Sequence, residues 1–199
     1  MIVGIIDYGM GNLFSVEQAL KKLECTVITS DDVEVLAEAD AILLPGVGAF
    51  PDAMRRLDEK GLAGFIRSLP EQGIPLLGIC LGMQLMCSHS EENNTECLGI
   101  FPEKVKRFAE GTRVPHMGWN NLTVSRDSSL LSNLGYDSWF YYLHSYALPT
   151  SSSTIAMARH TEDFSAMVCR NNFLAAQFHP ERSSHAGARL LQNFMEWEL

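Results

Sequence analysis

Short apolar runs alternate with helical patterns along the first ninety residues of this chain, and this alternation limits the folds it can adopt. The runs are IVGII (2–6), CTVIT (25–29), AILLP (41–45) and IPLLGI (74–79). Each has the length and side chains of a buried strand, and apolar residues recur at helical spacing between them. Strands joined through helices predict right-handed crossovers and an α/β fold, with a mainly parallel sheet and helices on both faces.

The second half of the chain has a different pattern. Aromatic or β-branched runs occur at NLTVS (121–125), SWFYYLHSYA (138–147), TIAMARH (154–160), FSAMVCR (164–170) and FLAAQF (173–178). Asn171 and Asn172 lie where a tight hairpin turn is expected. We expect these strands to extend or flank the sheet in antiparallel fashion, followed by an amphipathic helix over 183–199. Because the chain contains no repeat, linker or low-complexity segment, residues 1–199 are predicted to form a single domain.

Charge and cysteine content argue against several classes of partner. Fifteen Lys and Arg against twenty-four Asp and Glu give a formal net charge of -9, and the densest basic stretch, EKVKR (103–107), alternates as on the exposed face of a strand. We therefore expect no nucleic-acid partner. No apolar run approaches a membrane span, and no basic segment precedes Asp7 as in a signal peptide. Five cysteines without paired CxxC spacing predict reduced thiols, a cytoplasmic location and no metal site.

Cys80 lies between two glycines in LGICLGMQ (77–84), directly after the fourth apolar run. Small residues around a central nucleophile permit a sharp strand-to-helix turn that exposes its side chain. At such a turn the helix N-terminus favours the thiolate, and the N–H of Leu81 points to where an oxyanion would form. The alternative is a small core residue in a glycine-rich packing contact. Its position at a strand end of a parallel sheet favours the nucleophile.

A thiol nucleophile needs a base, and His179 is the best candidate. It follows FLAAQF, and Pro180 favours an extended backbone at His179. Residues two apart in an extended segment point the same way, so Glu181 can lie beside the imidazole and orient it. Alone, this pair could be an exposed turn with solvated side chains. Together with Cys80 it predicts a Cys-His-Glu triad.

The remaining histidines are weaker candidates for the base. His89 is expected in the polar end of a helix, His160 in a charged loop and His185 at the beginning of the last helix, each exposed to solvent. His116 and His144 lie in motifs richer in aromatic residues and are treated with those motifs.

Two glycine-rich segments could place backbone N–H groups near the site. LPGVGAF (44–50) follows the third apolar run, and its glycines allow a peptide N–H to point inward as the second oxyanion donor. As a phosphate cradle it is weak, because it lacks the lysine and the spacing of a P-loop. DYGMGNLF (7–14) also fails as a dinucleotide fingerprint, because Phe14 stands where the third glycine would be.

GICLGMQ followed a hundred residues later by QFHPE resembles the class I, triad-type glutamine amidotransferases. The resemblance implies a flavodoxin-like fold with added antiparallel strands, no cofactor, and Cys80, His179 and Glu181 as catalytic residues. It implies that the Cys80 thiolate attacks the side-chain amide of L-glutamine, that ammonia leaves with a proton from His179, and that water hydrolyses the γ-glutamyl thioester.

The same resemblance implies further contacts with substrate. The oxyanion would be held by the N–H groups of Leu81 and Gly48. Gln84 corresponds to a family glutamine that contacts substrate, and the segment His144, Ser145 and Tyr146 matches the one that binds its α-amino and carboxylate groups. Without the family, Gln84 could be a helix surface residue and the HSY segment an ordinary part of a strand.

Five blocks extend the likeness along almost the whole chain: DYGMGNLFSV, LPGVGAF, PHMGWN, HSYA and QFHPERSSHAGARLLQNF. They resemble the glutaminase subunits of imidazole glycerol phosphate synthases, enzymes of histidine biosynthesis. The resemblance implies a heterodimer with a (β/α)₈-barrel cyclase, which uses the ammonia to form imidazole glycerol phosphate and aminoimidazole carboxamide ribotide. The residues expected at or near that interface are Asn12, Met117, Trp119, Tyr142 and Arg182.

Two other interpretations stay open at the level of sequence. One is another thiol enzyme of the same fold, such as the glutaminase partner in vitamin B6 or anthranilate synthesis, or a γ-glutamyl hydrolase. PHMGWN and DYGMGN speak against it. The other is a non-catalytic module in which PGVG and GMGN hold a nucleotide, which would leave the Cys, His and Glu constellation unexplained.

Overall fold

A computed structural model of the protein describes residues 1–134 and 138–197. Its strands are β1 Ile2–Ile6, β2 Thr26–Ser30, β3 Ala41–Gly46, β4 Leu76–Cys80, β5 His89–Ser90, β6 Thr95–Glu96, β7 Lys104–Arg107, β8 His116–Asn121, β9 Thr123–Val124, β10 Trp139–His144, β11 Tyr146–Ala147, β12 Thr154–Arg159, β13 Asp163–Arg170 and β14 Phe173–Ala176. Its α-helices are α1 Leu13–Lys21, α2 Val33–Leu36, α3 Phe50–Glu59, α4 Leu62–Gln72, α5 Leu81–Leu85 and α6 Ser184–Met195. Short 3₁₀ turns cover Glu92–Asn94, Ser129–Leu131 and Pro180–Arg182.

The main sheet has eight strands in the order β2-β1-β3-β4-β14-β13-β12-β9. The first five are parallel, whereas β13, β12 and β9 continue the sheet in antiparallel fashion. The hairpin between β13 and β14 turns at Asn171, whose φ of 53° lies in the left-handed region that asparagine tolerates. The predicted fold class and the predicted antiparallel extension are confirmed.

Helices cover both faces of the sheet because successive side chains of a strand point to opposite sides. From β3, Ile42 and Leu44 pack with α2, α3, α4 and α5 in one apolar cluster. Ala41 and Leu43 pack in a second cluster with α1, α6 and β10. The helical segment that follows β3 consists of two helices, α3 and α4, and Gly61 between them has φ +70°.

Strands β8 and β10 form a separate two-stranded ribbon, which we call the β8–β10 ribbon. Its pairing places Trp119 opposite Tyr141 and His116 opposite His144. The outer face of the ribbon carries Trp119 and Tyr141, and the inner face carries His116 and His144, which are buried.

The helix predicted to continue through residue 89 is shorter in the structure. Helix α5 ends at Leu85, and His89 lies in β5, where its ring contacts the Asn94 side chain. The carbonyls of Leu85 and Met86 accept hydrogen bonds from the N–H groups of Leu98 and Ile100. A distant segment therefore takes the acceptors that a longer helix would use. The last two residues of the predicted C-terminal helix, 198 and 199, lie outside the described residues.

Within the described ranges, no helix is long and apolar enough to cross a membrane.

Candidate active site

A pocket of about 310 Å³ lies at the carboxyl ends of β3 and β4. Eight of the residues predicted for the site line it: Gly48, Cys80, Leu81, Gln84, His144, Ser145, Tyr146 and His179. They come from separate segments of the chain. The parallel sheet brings the segments after β3, β4 and β14 together, because the carboxyl ends of neighbouring parallel strands meet at one edge. The segment from the end of β10 to the beginning of β11 adds His144, Ser145 and Tyr146.

Cys80 is the last residue of β4 and immediately precedes α5, with φ 55° and ψ −109°. A side-chain-bearing residue rarely has positive φ, and such backbone strain is typical of functional turns. The neighbouring glycines permit the turn. A Cβ at Gly82 would lie 1.8 Å from the carbonyl oxygen of Leu44, and one at Gly78 would lie 2.9 Å from the amide nitrogen of Met83. The predicted strand-to-helix elbow is therefore present.

His179 and Glu181 form a buried pair beside Cys80. The His179 Nδ1–H donates to Glu181 Oε1 at 2.8 Å, and the two side chains are 6% and 2% exposed. The backbone N–H of His179 donates to the Tyr141 carbonyl at 2.9 Å, which fixes the extended segment on β10. The pair is thus not an exposed turn.

The surroundings of His179 favour its protonated form. Burial by itself lowers the pKa of His179, but hydrogen bonds with Cys80 and Glu181 and the charges of both residues outweigh burial and raise it above its ordinary value. Because Nδ1 is bound to Glu181, Nε2 is the ring nitrogen that is left to contact Cys80. A thiol beside a protonated imidazole that a carboxylate orients is an arrangement suited to nucleophilic catalysis.

Two other groups contact the Cys80 sulfur. The carbonyl of Leu143 lies 3.7 Å from Sγ, and the Gln177 Nε2 lies 3.9 Å from it. Gln177 is fully buried, and its Oε1 accepts a hydrogen bond from Gln84 Nε2 at 2.8 Å. Gln177 was not among the site residues predicted from sequence, where it belongs only to the QFHPE motif. Its position two residues before His179, in the same segment, was the signal that could have identified it.

The DYGMGN block supports the PGVG loop. The Tyr8 hydroxyl lies 2.6 Å from the position of a Cβ at Gly46, and the Met10 methyl lies 2.6 Å from that of a Cβ at Gly48. Gly48 has φ +109°, which favours glycine. Burial and the neighbouring Cys80 charge both raise the pKa of Tyr8. The block that failed as a nucleotide fingerprint therefore shapes the loop on which Gly48 lies.

The HSY segment and Gln84 surround the far side of the pocket. Ser145 and Tyr146 are partly exposed to it. Gln84 also borders the pocket, but its Nε2 already donates to the Tyr146 carbonyl at 2.7 Å as well as to Gln177. Only its Oε1 is left for a ligand.

One known protein family matches this chain over almost its full length. The family described as glutamine amidotransferase class-I matches residues 4–197. The chain belongs to this family. Among curated relatives, "Imidazole glycerol phosphate synthase subunit HisH" of Bacteroides fragilis is 46% identical over 199 residues, covering 98% of this chain and 100% of that protein. The proteins of the same name from Geobacillus thermodenitrificans and Xanthomonas axonopodis pv. citri are also 46% identical, covering 98% of this chain and 95% and 96% of theirs.

Solved structures show the same amidotransferase fold. A crystal structure of a glutamine amidotransferase superposes with a TM-score of 0.79 at 22% identity, covering 98% of both chains. A chain of the PurLQS structure from Thermotoga maritima superposes with a TM-score of 0.72 at 19% identity, covering 98% of this chain and 97% of that one.

Glu92 is a residue of the amidotransferase pocket that was not predicted from sequence. Among the described residues lining the pocket it is the one carboxylate, and its Oε2 accepts from the Phe50 N–H at 2.8 Å. It lies in the 3₁₀ turn Glu92–Asn94, which follows the early end of α5. The sequence has no periodic pattern at this turn. Contacts with α3, such as the bond from the Phe50 N–H, position it instead of its own residues.

The His144 ring does not behave as expected for a substrate ligand of this amidotransferase. Its Nδ1 lies 2.8 Å from the Tyr146 carbonyl oxygen and its Nε2 lies 3.0 Å from His116 Nδ1. Both ring nitrogens are engaged inside the protein, although His144 borders the pocket, so a contact of the HSY segment with glutamine is left to Ser145 and Tyr146.

His160 also differs from its expected solvated position. It stacks on His116 with ring centroids 4.4 Å apart, and its Nε2 lies 2.8 Å from the Arg113 carbonyl oxygen. The loop folds back on the inner face of the β8–β10 ribbon, and a short sequence pattern does not report such a long-range contact. His185 is exposed, as predicted.

The predicted interface residues are exposed with one exception. Met117 and Trp119 are 63% and 51% exposed, and the Arg182 guanidinium lies 4.2 Å from the centroid of the Tyr141 ring. Asn12 is exposed at the beginning of α1, where its side chain accepts from the Ser15 N–H.

Tyr142 is the exception, and its assignment to the interface is wrong. Its side chain is fully buried on the inner face of the ribbon. Side chains alternate along a strand, so the neighbouring Tyr141 faces outward beside Trp119 and Arg182 instead. A one-residue shift in a strand exchanges the buried and the exposed face.

The described residues contain no group of three or more His, Cys, Asp or Glu side chains that could hold a metal ion.

Proposed function

We propose that this chain is the glutaminase subunit of an imidazole glycerol phosphate synthase and that Cys80, His179 and Glu181 are its catalytic triad. The observation that carries the proposal is the Cys80 turn beside the buried His179–Glu181 pair. The full-length similarity to subunits named HisH supports the biosynthetic assignment. The products of the reaction are glutamate and ammonia, and the ammonia is used in histidine biosynthesis.

The first half of the reaction forms a thioester. The Cys80 thiolate attacks the Cδ carbonyl carbon of L-glutamine, and the carbonyl oxygen takes up negative charge. The backbone N–H groups of Leu81 and Gly48, which both border the pocket, are suited to stabilise that oxyanion. The His179 imidazolium gives its proton to the leaving nitrogen, so ammonia departs as a neutral molecule.

The second half of the reaction releases glutamate. His179, now neutral, takes a proton from water, and the resulting hydroxide attacks the γ-glutamyl thioester. Collapse of the tetrahedral intermediate breaks the C–S bond and returns the thiolate. Glu181 holds the ring through Nδ1 in both halves, so that Nε2 remains directed at the reacting atoms.

The amino-acid end of glutamine requires charged and polar partners. We propose that Glu92 binds the α-ammonium group, because it is the carboxylate of the described pocket lining. We assign the α-carboxylate to Ser145 and Tyr146 and the substrate amide to the Oε1 of Gln84, because all three residues line the pocket. A methylene chain of glutamine then spans the distance to Cys80.

The outer face of the β8–β10 ribbon is the proposed docking surface for a (β/α)₈-barrel cyclase. Trp119 and Tyr141 are in edge-to-face contact, and Arg182 lies over the Tyr141 ring. Aromatic residues and arginine are common anchors of protein interfaces. The same face continues to Leu143, whose carbonyl contacts the Cys80 sulfur. A partner on this face would cover the pocket from which ammonia leaves.

We also propose a single domain over residues 1–199 and a cytoplasmic location. The main sheet takes strands from both halves of the chain, which supports one folding unit. All five cysteines are free thiols, as is usual in a reducing compartment.

The test is glutamate release from L-glutamine by the purified chain, alone and together with the nucleotide-bound cyclase. Wild type should release glutamate and should be stimulated by the cyclase, whereas Cys80→Ser should be inactive in both settings. Cys169→Ser changes a partly exposed cysteine of β13 and should retain activity. Release of glutamate by Cys80→Ser at the wild-type rate would disprove the triad. Equal turnover with and without the cyclase would argue against the partner.

A further inference from the structure

The inner face of the β8–β10 ribbon contains two buried histidines that the proposed mechanism does not use. His116 and His144 are each 6% exposed, and His116 Nδ1 lies 3.0 Å from His144 Nε2. The His144 Nδ1 lies 2.8 Å from the Tyr146 carbonyl oxygen. At the other end, His116 Nε2 lies 3.4 Å from Asn120 Nδ2. Four residues thus form one continuous chain of hydrogen bonds.

This chain has a single possible direction. A carbonyl oxygen only accepts, so His144 must carry its proton on Nδ1 and present a lone pair at Nε2. His116 must then donate from Nδ1 and accept at Nε2. The acceptor at His116 meets Asn120 Nδ2, which also donates to the Arg159 carbonyl at 2.9 Å, so the amide nitrogen faces both groups. Each ring therefore has one tautomer and is neutral.

The Tyr146 carbonyl joins this chain to the nucleophile. It also accepts from Gln84 Nε2, at 2.7 Å. Gln84 Nε2 is bonded to Gln177 Oε1, and Gln177 Nε2 faces the Cys80 sulfur. The hydrogen-bonded path therefore runs from the strand that carries Trp119, through the two histidines, to the substrate segment and to Cys80.

We propose that His116 and His144 are positioning residues, which fix the Tyr146 peptide through a hydrogen-bond chain of one direction and so link the β8–β10 ribbon to the glutamine pocket. The proposal rests on the proposed function, because Tyr146 is there a substrate contact. Aromatic residues of the same size would fill this space without buried polar atoms. The presence of two polar rings here is explained by the two hydrogen bonds that end on Tyr146 and Asn120.

The environment of the two rings agrees with the neutral state that the chain requires. Burial lowers the pKa of His144 to about 3, and the hydrogen bond to Tyr146 opposes this only in part. Burial, together with His160, lowers the pKa of His116 to about 4. Among the described residues, the titratable groups that face the pair are His160, His179 and Tyr142, and the other rings against it are Phe108 and Phe164.

The direct test is the tautomeric state of both histidines in the wild-type protein, measured by ¹⁵N side-chain NMR at pH 7. We expect each ring to be neutral with its proton on Nδ1. A proton on Nε2 alone, or a charged ring, at either residue would overturn the proposal. This measurement needs no activity, so it decides the proposal even if the chain released no glutamate.

A matched pair of variants tests the role in positioning. His116→Phe keeps the stacking on Tyr142 and His160 but removes the bond to His144, whereas His116→Asn restores a donor near the position of Nδ1. With saturating cyclase, we expect His116→Phe to raise KM for glutamine about tenfold, with little change in kcat. A tenfold change corresponds to the free energy of about one buried hydrogen bond. His116→Asn should recover most of that loss.

Three kinetic outcomes would contradict the proposal. They are an unchanged KM in a folded His116→Phe protein, equal impairment of both variants, and a loss confined to kcat. If His116→Phe fails to fold, the NMR result on wild type decides. If wild type itself releases no glutamate, the proposed function fails and the tautomers still decide the present proposal.

Discussion

Gly82 lies directly against the carbonyl group of Leu44, at the point where the nucleophile turn crosses the end of β3. A Cβ at Gly82 would come within 1.8 Å of that oxygen, and the obstacle is backbone on a central strand. The close approach holds the beginning of α5 on the sheet and so fixes the direction of the Cys80 side chain.

Gly82→Ala should therefore destabilise the protein and abolish glutamate release. Neither β3 nor α5 can move away without disturbing the sheet, so we expect a loss of about 3 kcal/mol or more in the free energy of unfolding. Urea denaturation measures it. Gly64→Ala is the control, because nothing lies within 4 Å of its Cβ position in α4. It should stabilise the helix by up to about 1 kcal/mol. A Gly82→Ala protein with wild-type stability would contradict the close contact.

Glu181→Gln should lower kcat while leaving the fold intact. The amide is isosteric but no longer stabilises the imidazolium, so the pKa of His179 should fall. A smaller fraction of the protein then carries the proton that the leaving ammonia needs. We expect a decrease in kcat of about 10²-fold or more, as for loss of general acid–base catalysis. NMR titration of His179 measures the pKa. Glu38→Gln, at an exposed position after α2, should change neither quantity. An unaltered kcat in Glu181→Gln would remove Glu181 from the triad.

Glu92→Gln should weaken glutamine binding. The substitution removes the negative charge opposite the proposed α-ammonium group but keeps an oxygen for the Phe50 N–H. Hydrogen bonds to charged groups contribute about 1.5 to 3 kcal/mol, so KM should rise by about 10- to 100-fold. Steady-state kinetics with glutamine measure this, and urea denaturation checks that stability is retained. A wild-type KM would place the ammonium group elsewhere.

Because His144 is buried, the protein should become less stable as the pH falls. Burial depresses the pKa of His144 to about 3 in the folded state, below the ordinary value near 6.5 of the unfolded chain. The unfolded state therefore binds the proton first, so this contribution is present above pH 6.5 and is lost as the pH falls toward 3. Its slope is about 1.4 kcal/mol per pH unit.

Urea denaturation of wild type and His144→Phe between pH 8 and pH 4.5 tests this. At pH 8 the difference between the two proteins reports packing and the lost hydrogen bonds to Tyr146 and His116. Below pH 6.5 the stability of the variant should fall less steeply than that of wild type, and the two slopes should differ by about 1.4 kcal/mol per pH unit. Parallel curves for the two proteins would show that His144 is not buried in its neutral form.

Trp119→Ala should leave the isolated chain folded but weaken its complex with a cyclase. Trp119 is 51% exposed and in edge contact with Tyr141, so its truncation removes apolar surface that only a partner would bury. For an anchor residue the loss of binding free energy is about 2 kcal/mol or more. Titration calorimetry measures it. Val35→Ala, which alters an exposed apolar residue of α2, should bind as wild type. Equal affinity of Trp119→Ala and wild type would move the interface away from this ribbon.

Local sequence patterns were sufficient for the parallel part of the sheet and for the nucleophile turn. Four apolar runs predicted β1, β2, β3 and β4, and the glycines beside Cys80 predicted the sharp turn because both are consequences of neighbouring residues. The Pro180 constraint likewise predicted the side-by-side placement of His179 and Glu181, which the structure shows at 2.8 Å. Their catalytic roles stay predictions that the variants above test.

Long-range contacts decided what the sequence by itself did not determine. The early end of α5 depends on acceptors used by Leu98 and Ile100, and Glu92 reaches the pocket only because of that ending. Tyr141 rather than Tyr142 faces outward because pairing with β8 sets which side of β10 is buried. The His144 ring is buried inside the protein, and its partner His116 is 28 residues away, on the strand that pairs with β10. Spacing along the chain determines local geometry, whereas the partner of a buried polar group is determined only when distant strands meet.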